Sequence, residues 1–519
     1  MQDAVSAAAR RGFIAGWLLL CALKLALAVQ LPLFVDEAFY WQEGQHPAWA
    51  YSDLPALTAW LARLGVEVFG QHALGLRLPF LLIGAALPWL VVRMAAREFG
   101  ANTGWQAGLL ALLLPLAGSL GLLALPDVPM LLATLLCLDA GLRLLRRVDV
   151  LGAGELALGL LLGGLTHYRF VAVIAVGFAG LLMLRDGRQA LRHRAPWVAV
   201  AIGALAWLPL LLWNLRNADA GLRFQLVDRH PWHFGGDGLL LGLLQLLPAT
   251  PLLLAAMALA AWRGLREPRP AARYLALCGG GIVLGFLLLG FFADRERVSF
   301  HWPLPGFVAL LPLLPAALAG WPRGWRVATL ATAAAGLVLV LGFFLMASVP
   351  AWREQTAGHR LYPANFAGWS ALAEAVRGER AAMPAGTRLL AGNFKIGAEL
   401  GFLLDDPRIA VLDHPLNHHH GRAPQLALWG LQHDGARDAP MLLVVAATDV
   451  KFREELAYFQ QLCGQVGPLP PPRVLNIDHG RQRFLLFALP AQRGDGACVT
   501  PALANIDAPA AGARVERRF

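Results

Sequence analysis

Apolar runs of the length needed to cross a bilayer recur from the N-terminus to about residue 348. A hydrocarbon core of about 30 Å asks for roughly 17 to 25 apolar residues in a helix. Few other patterns narrow the possible folds so far. The chain is 57% hydrophobic and 15% charged, where soluble domains carry about 25% charged residues. An ordinary soluble domain is excluded.

The runs predict eleven membrane helices, at about 13–33, 78–97, 105–124, 128–146, 151–167, 169–184, 195–214, 238–262, 273–292, 303–320 and 326–348. The first follows Arg10 and Arg11 and ends in Phe34-Val35-Asp36-Glu37 without a small-residue cleavage site, so it is expected to be a retained helix rather than a signal peptide. The formal net charge of +10 would suggest nucleic acid in a soluble protein. Here the arginines gather in short loops, including Arg93/Arg97, Arg143/Arg146/Arg147 and Arg185/Arg188/Arg192/Arg194, which marks that side as cytoplasmic and calls for no nucleic-acid partner. The N-terminus is then cytoplasmic and the C-terminal part extracytoplasmic. The two runs that meet at His167 are short and share almost no loop; a broken or re-entrant pair fits them if it is buried or lines a wet cavity.

From Pro350 onward the texture changes to mixed charge, Pro/Gly punctuation and short β-rich runs such as Met441–Ala447 and Arg483–Leu489. The expected division is a membrane domain over residues 1–348 and a soluble α/β domain over 349–519. Cys463 and Cys498 can form a disulfide in an extracytoplasmic tail, and two free thiols fit the same residues. His418-His419-His420 follows Asp413-His414-Pro415; without a full metal-ligand spacing, a polar, flexible loop is expected.

Chemistry is expected on the extracytoplasmic side. Asp36 and Glu37 stand directly at the end of the first run, followed by Tyr40, Trp41, Tyr51 and Asp53. Adjacent carboxylates at a membrane surface suit general-base work, and an aromatic belt beside a solvated acidic turn suits the same residues. Asp127 lies between Pro126 and Pro129 on the same side, where it could also be a turn and cap. The bases there include Arg77, Arg169 beside His167, Arg295, Arg297 and His301, followed by Trp302; arginines match phosphate oxygens bidentately, and also meet lipid headgroups. Lys24, near the middle of the first helix, is expected to pair with an acid elsewhere.

Asp36-Glu37-Ala38-Phe39-Tyr40-Trp41, Tyr51-Ser52-Asp53-Leu54-Pro55, Leu76-Arg77-Leu78-Pro79, Pro126-Asp127-Val128-Pro129-Met130, Leu212-Trp213-Asn214 and His301-Trp302-Pro303-Leu304-Pro305 follow one another in order over roughly residues 13–320. This series resembles the GT-C superfamily of polyprenyl-phosphate-sugar-dependent glycosyltransferases, close to lipid A aminoarabinose transferases and protein O-mannosyltransferases. The resemblance implies a catalytic role for Asp36 as the base that deprotonates an acceptor hydroxyl, with Glu37 orienting and Asp127 assisting. It further implies Arg77, Arg169, Arg295, Arg297 and His301 at the donor phosphate, and Tyr40, Trp41, Tyr51, Asp53 and Trp302 at sugar or acceptor. Two departures stand out. Asp53-Leu54-Pro55 replaces a Lys-Pro-Pro segment, and Arg169 stands where relatives carry a lysine. No cofactor is required; a divalent metal is compatible, with Asp127 or Glu37 as ligands, although no ligand set is evident.

The expected function is inverting transfer of a sugar from a polyprenyl (undecaprenyl) phosphate donor to an envelope acceptor, a lipopolysaccharide or other glycan before a protein, at the bacterial inner membrane. Alternatives are a transporter or flippase for a lipid-linked sugar that breaks no bond, and a non-catalytic assembly protein, which would leave the acids and arginines without a task.

Overall fold

The computed structural model describes residues 2–228, 232–292, 299–435 and 438–491. Up to residue 183 the helices are α1 (Gln2–Gln30), α2 (Val35–Gln45), α3 (Leu57–Phe69), α4 (Ala73–Phe99), α5 (Ala101–Leu113), α6 (Pro115–Ser119), α7 (Asp127–Arg146), α8 (Val150–Gly164) and α9 (Phe170–Met183). The chain forms two compact units: Met1–Val29, Ala48–Phe69 and Leu74–Phe343 in the first, Gln30–Pro47, Gly70–Ala73 and Phe344–Phe519 in the second. A single cut after residue 348 therefore misses two pieces of the second unit. Both are short stretches flanking the first loop.

The first unit is helical and polytopic. Among the described residues six helices are long and apolar enough to cross a membrane: Ala7–Gln30, Ala73–Phe99, Asp127–Arg146, Arg194–Arg216, Pro270–Leu289 and Arg323–Ser348. A seventh crossing is added if Gly238–Ala249 and Pro251–Arg266, bent by 104°, count as one. The bend falls at Thr250, whose φ is 59°, and Pro251 opens the next helix, as proline favours a first helical position. The four other expected runs are shorter or broken. α5, α8 and α9 have 13, 15 and 14 residues, or about 20–23 Å at 1.5 Å per residue. Large apolar side chains such as Leu18, Leu19, Val338 and Leu339 are exposed, as a lipid-facing surface requires.

Two polar arrangements hold this unit together. Where α6 ends at Ser119, the helix frees carbonyls that hydrocarbon cannot satisfy. Lys24 Nζ donates to one of them, Leu120 O, at 2.9 Å. The lysine's partner is thus a main-chain carbonyl and not the acid expected from sequence. Gly121 follows with φ +90°, and a Cβ there would lie 2.6 Å from Phe80 O; only glycine fits this crossing of α4. Further along α7, buried Asp139 accepts from Arg93 at 2.7 Å and is ion-paired with Arg97 at 2.6 Å, and Glu155 of α8 bridges Arg93 and Arg143 at 2.6 and 3.0 Å. This network joins two of the arginine-rich ends that the sequence assigns to one side of the membrane.

The second unit contains a five-stranded sheet, β1 (Arg388–Ala391), β2 (Ala410–Val411), β3 (Met441–Ala446), β4 (Arg473–Ile477) and β5 (Gln482–Leu489), in the order β2-β1-β3-β5-β4. β2, β1 and β3 run parallel, and β5 and β4 are antiparallel additions. Every residue of β3 is buried, consistent with a central strand covered on both faces. Two of the strands, β3 and β5, coincide to within a residue with the β-rich runs read from sequence. The helices Phe394–Leu404 and Glu455–Val466 follow β1 and β3 as a parallel sheet demands. α2 belongs here: the Trp41 ring meets Phe402 at 5.5 Å, and Phe39 meets Phe394 at 5.7 Å. Cys463 is disulfide-bonded, and its expected partner Cys498 lies outside the described residues. Cys21, Cys137 and Cys278 are free.

Replacing Asp139 by alanine leaves Arg93, Arg97 and Arg143 without their shared carboxylate. The expected loss is about 3 kcal/mol, the range for breaking a buried ion pair, read as a lowered unfolding midpoint of the detergent-solubilised protein.

Candidate functional site

Asp36 is the second residue of α2, and Phe34 is its N-cap. Acids in the first turn of a helix face its positive end. Glu37, buried, reaches back so that Phe34 N donates to its Oε2 at 2.9 Å. That is a capping interaction and a structural task for Glu37.

Asp36 itself is partly open, its side chain 31% exposed, and Arg422 Nη2 donates to its Oδ1 at 2.7 Å. The Arg422 side chain is 3% exposed and lies 4.1 Å from the ring centroid of Phe39 and 4.3 Å from that of Phe394, within cation–π range. Asn417 organises the segment. Its Oδ1 accepts from Phe394 N, its Nδ2 donates to Leu412 O, both at 2.9 Å, and its carbonyl accepts from Arg422 N at 2.8 Å.

Burial alone would raise the Asp36 carboxyl; the charge and hydrogen bond of Arg422, with Lys395 adding to them, outweigh burial and hold it below the usual carboxylate range. Burial and Arg422 push the neighbouring His420 down to about 3, so it is neutral near pH 7 and Arg422 is the charge that counts. The histidine run is therefore not the flexible loop expected. Pro415–His419 is helical, His414 Nδ1 accepts from Leu416 N at 3.1 Å, and His420 packs 5.2 Å from Phe394.

The first unit holds a separate constellation. Asp127 opens α7, and Arg169 immediately precedes α9. Arg169 Nη2 donates to Asp127 Oδ1 at 3.3 Å, and His301 Nε2 stands 3.6 Å from Asp127 Oδ2. Arg169 also lies over the Trp302 ring at 5.4 Å and contacts His167 Nε2 through Nε at 3.2 Å. The short run between α8 and α9 that carries Thr166 and His167 is buried in protein, which is the condition for breaking a helix at membrane depth. Two helix N-termini, a guanidinium and an imidazole around one carboxylate can receive an anion while remaining nearly neutral without it.

The other candidates are distributed as follows. Arg77 is fully buried and Nη1 donates to Ala28 O at 3.1 Å. Tyr51 is buried; its hydroxyl accepts from Ala48 N and its own N donates to Leu54 O, closing the turn that carries Asp53, whose carbonyl accepts from Gln225 at 2.9 Å. Tyr40 and Trp41 are buried, with Trp41 Nε1 donating to Gln71 Oε1 at 3.1 Å. Arg295 and Arg297 lie outside the described residues. Among the described residues no three His, Cys, Asp or Glu side chains stand together as metal ligands do. Sequence reasoning missed Arg422: it is 386 residues from Asp36, in a segment whose histidines drew the attention.

Residues 53–213 match the family described as dolichyl-phosphate-mannose-protein mannosyltransferase. Over 315 residues the chain is 29% identical to the lipid A galacturonosyltransferase RgtD of Rhizobium johnstonii, a match that covers 59% of this chain and 65% of that relative's length. The structure of ArnT from Cupriavidus metallidurans bound to undecaprenyl phosphate superposes with a TM-score of 0.63 at 16% identity, over 91% of this chain and 97% of that one. The same protein without ligand gives 0.62 at 15% identity. At such identity the superposition speaks for the fold. The chain is similar, in part of its sequence and in its fold, to membrane glycosyltransferases of the GT-C superfamily.

Proposed function

We propose that this protein transfers a sugar from a polyprenyl-phosphate donor to a lipid A or related envelope acceptor, with inversion at the anomeric carbon. The single observation that carries the mechanism is Asp36: a partly exposed carboxylate just past the first membrane helix, held ionised by Arg422. In the reaction the acceptor O–H gives its proton to Asp36 as its oxygen attacks C1. The bond from C1 to the phosphate oxygen breaks, and its electron pair leaves with the polyprenyl phosphate. A phosphate needs cations, and within the first unit the Arg169–His301 cluster supports a role in binding such an anion. Support for a lipid-phosphate donor comes from the undecaprenyl phosphate in the ArnT structure, and for a lipid A acceptor from the name of the Rhizobium relative.

The topology adopted with this function has eleven crossings, counting the bent pair, the three shorter apolar helices and residues 101–119 beside the six long helices. The N-terminus is then cytoplasmic and the sheet-bearing unit periplasmic, at the inner membrane.

Purified protein supplied with undecaprenyl-phosphate galacturonic acid and lipid A tests the assignment. Asp36→Asn is expected to lower kcat by about 10²- to 10⁴-fold, the usual worth of a general base. Undiminished transfer by this variant would remove Asp36 from the chemistry, and donor translocation without transfer by the wild type would point to a flippase.

Arg169→Lys keeps the charge but loses the planar fork. Its expected effect is a rise of about 10-fold in donor KM, a size typical of one weakened charge-assisted contact, with a smaller change in kcat. An unchanged donor KM would detach Arg169 from the phosphate.

A further inference from the structure

We infer that Arg422 is a positioning residue for Asp36, anchoring Oδ1 so that Oδ2 is presented to the attacking hydroxyl. The inference rests on the assignment of Asp36 as base and extends it to a residue from the opposite end of the sequence.

Three observations support it. The contact is one-sided: Nη2 engages Oδ1 at 2.7 Å, and among the described residues Oδ2 has no hydrogen-bond partner. The torsion that orients a carboxylate is soft, so fixing one oxygen determines where the other points. The anchor is itself rigid. A guanidinium 3% exposed between Phe39 and Phe394 has little room to rotate, and Asn417 fixes the backbone that carries it. Finally, the Asp36 side chain stays 31% exposed beside an arginine that is 3% exposed, so the pair leaves the carboxylate within reach of a substrate.

The charged and titratable groups around Asp36 come from four elements. They are Arg422 ahead of the helix Ala423–Leu428, His420 at the end of Pro415–His419, Lys395 in Phe394–Leu404, and Glu37 on α2 itself. Lys395 is partly engaged by Asp449 at 3.8 Å, and Glu37 is capping its own helix. His420 is neutral at working pH. Arg422 is the only one of the four both charged and in direct contact with the Asp36 carboxylate. It lowers the basicity of Asp36 while keeping it ionised well into the acid range, and gains a fixed direction of attack.

The test follows kcat and KM against pH for the full-length protein and its Arg422→Lys, Arg422→Gln and Asp36→Asn variants, with undecaprenyl-phosphate galacturonic acid and lipid A. Arg422→Gln is expected to lose about 100-fold in kcat, the scale of a misplaced catalytic group, with donor KM changed less than about 3-fold. Its acid limb moves up toward the ordinary aspartate value of about 4. Arg422→Lys keeps the acid limb low and loses about 10-fold in kcat, since a point charge does not fix the carboxylate plane. Wild-type kcat and acid limb in either variant would overturn the inference, and if the glutamine variant does not fold, the kcat of the lysine variant decides. Full transfer by Asp36→Asn would instead sink the base on which the inference rests. A dead Asp36→Asn beside wild-type-like Arg422 variants would sink only the positioning role.

Discussion

Hydrocarbon supplies no hydrogen bonds, and departures from a continuous helix in the first unit are met by partners from within the protein at two places. The carbonyl released at the end of α6 is met by Lys24 Nζ. The break between α8 and α9 is buried, with Leu57 N donating to Leu165 O at 2.9 Å. The buried carboxylates of the bundle are paired: Asp139 has Arg93 and Arg97, and Asp127 has Arg169 and His301. A chain built of continuous apolar rods would need none of these contacts, and would have nowhere to put chemistry.

Several of the candidate polar groups stand where helices begin. Asp36 is in the first turn of α2, Asp127 opens α7, and Arg169 and Trp302 precede the helices that follow them. Helix N-termini carry partial positive charge and spare N–H groups, which favours carboxylates and phosphates alike. The two clusters differ in how they balance charge. Asp127 is met by one guanidinium, Arg169, and by the His301 imidazole, so protonation of His301 decides whether the cluster carries net positive charge. Asp36 has one close cation, matched to it, suited to a base that stays in place.

Much of this was legible in the sequence and some was not, for identifiable reasons. Apolar runs announced the membrane helices because the 3.6-residue helix and the bilayer thickness are fixed lengths. Runs such as 105–124 did not show the break at Leu114 and Pro115, to which hydropathy is blind. Met441–Ala446 was readable as a strand since a covered central strand is apolar throughout. Asp36 was visible as an acid at the end of a membrane helix. Arg422 was not, because one ion pair spanning 386 residues leaves no periodicity. Trp41 and Tyr51 looked like surface aromatics from spacing alone, and are buried because each has a hydrogen-bond partner for its polar atom.

The composition of the second unit bears on how such proteins can diverge. Its sheet and helices come from the last third of the chain, yet α2 and residues 70–73 are built into it from the first loop, with Trp41 set against Phe402 and hydrogen-bonded to Gln71. An exchange of C-terminal domains between related genes would bring in a foreign surface where Phe39 and Trp41 must dock, and would separate Asp36 from Arg422. The first loop and the tail are therefore bound to change together, as one heritable module written in two distant stretches of the gene.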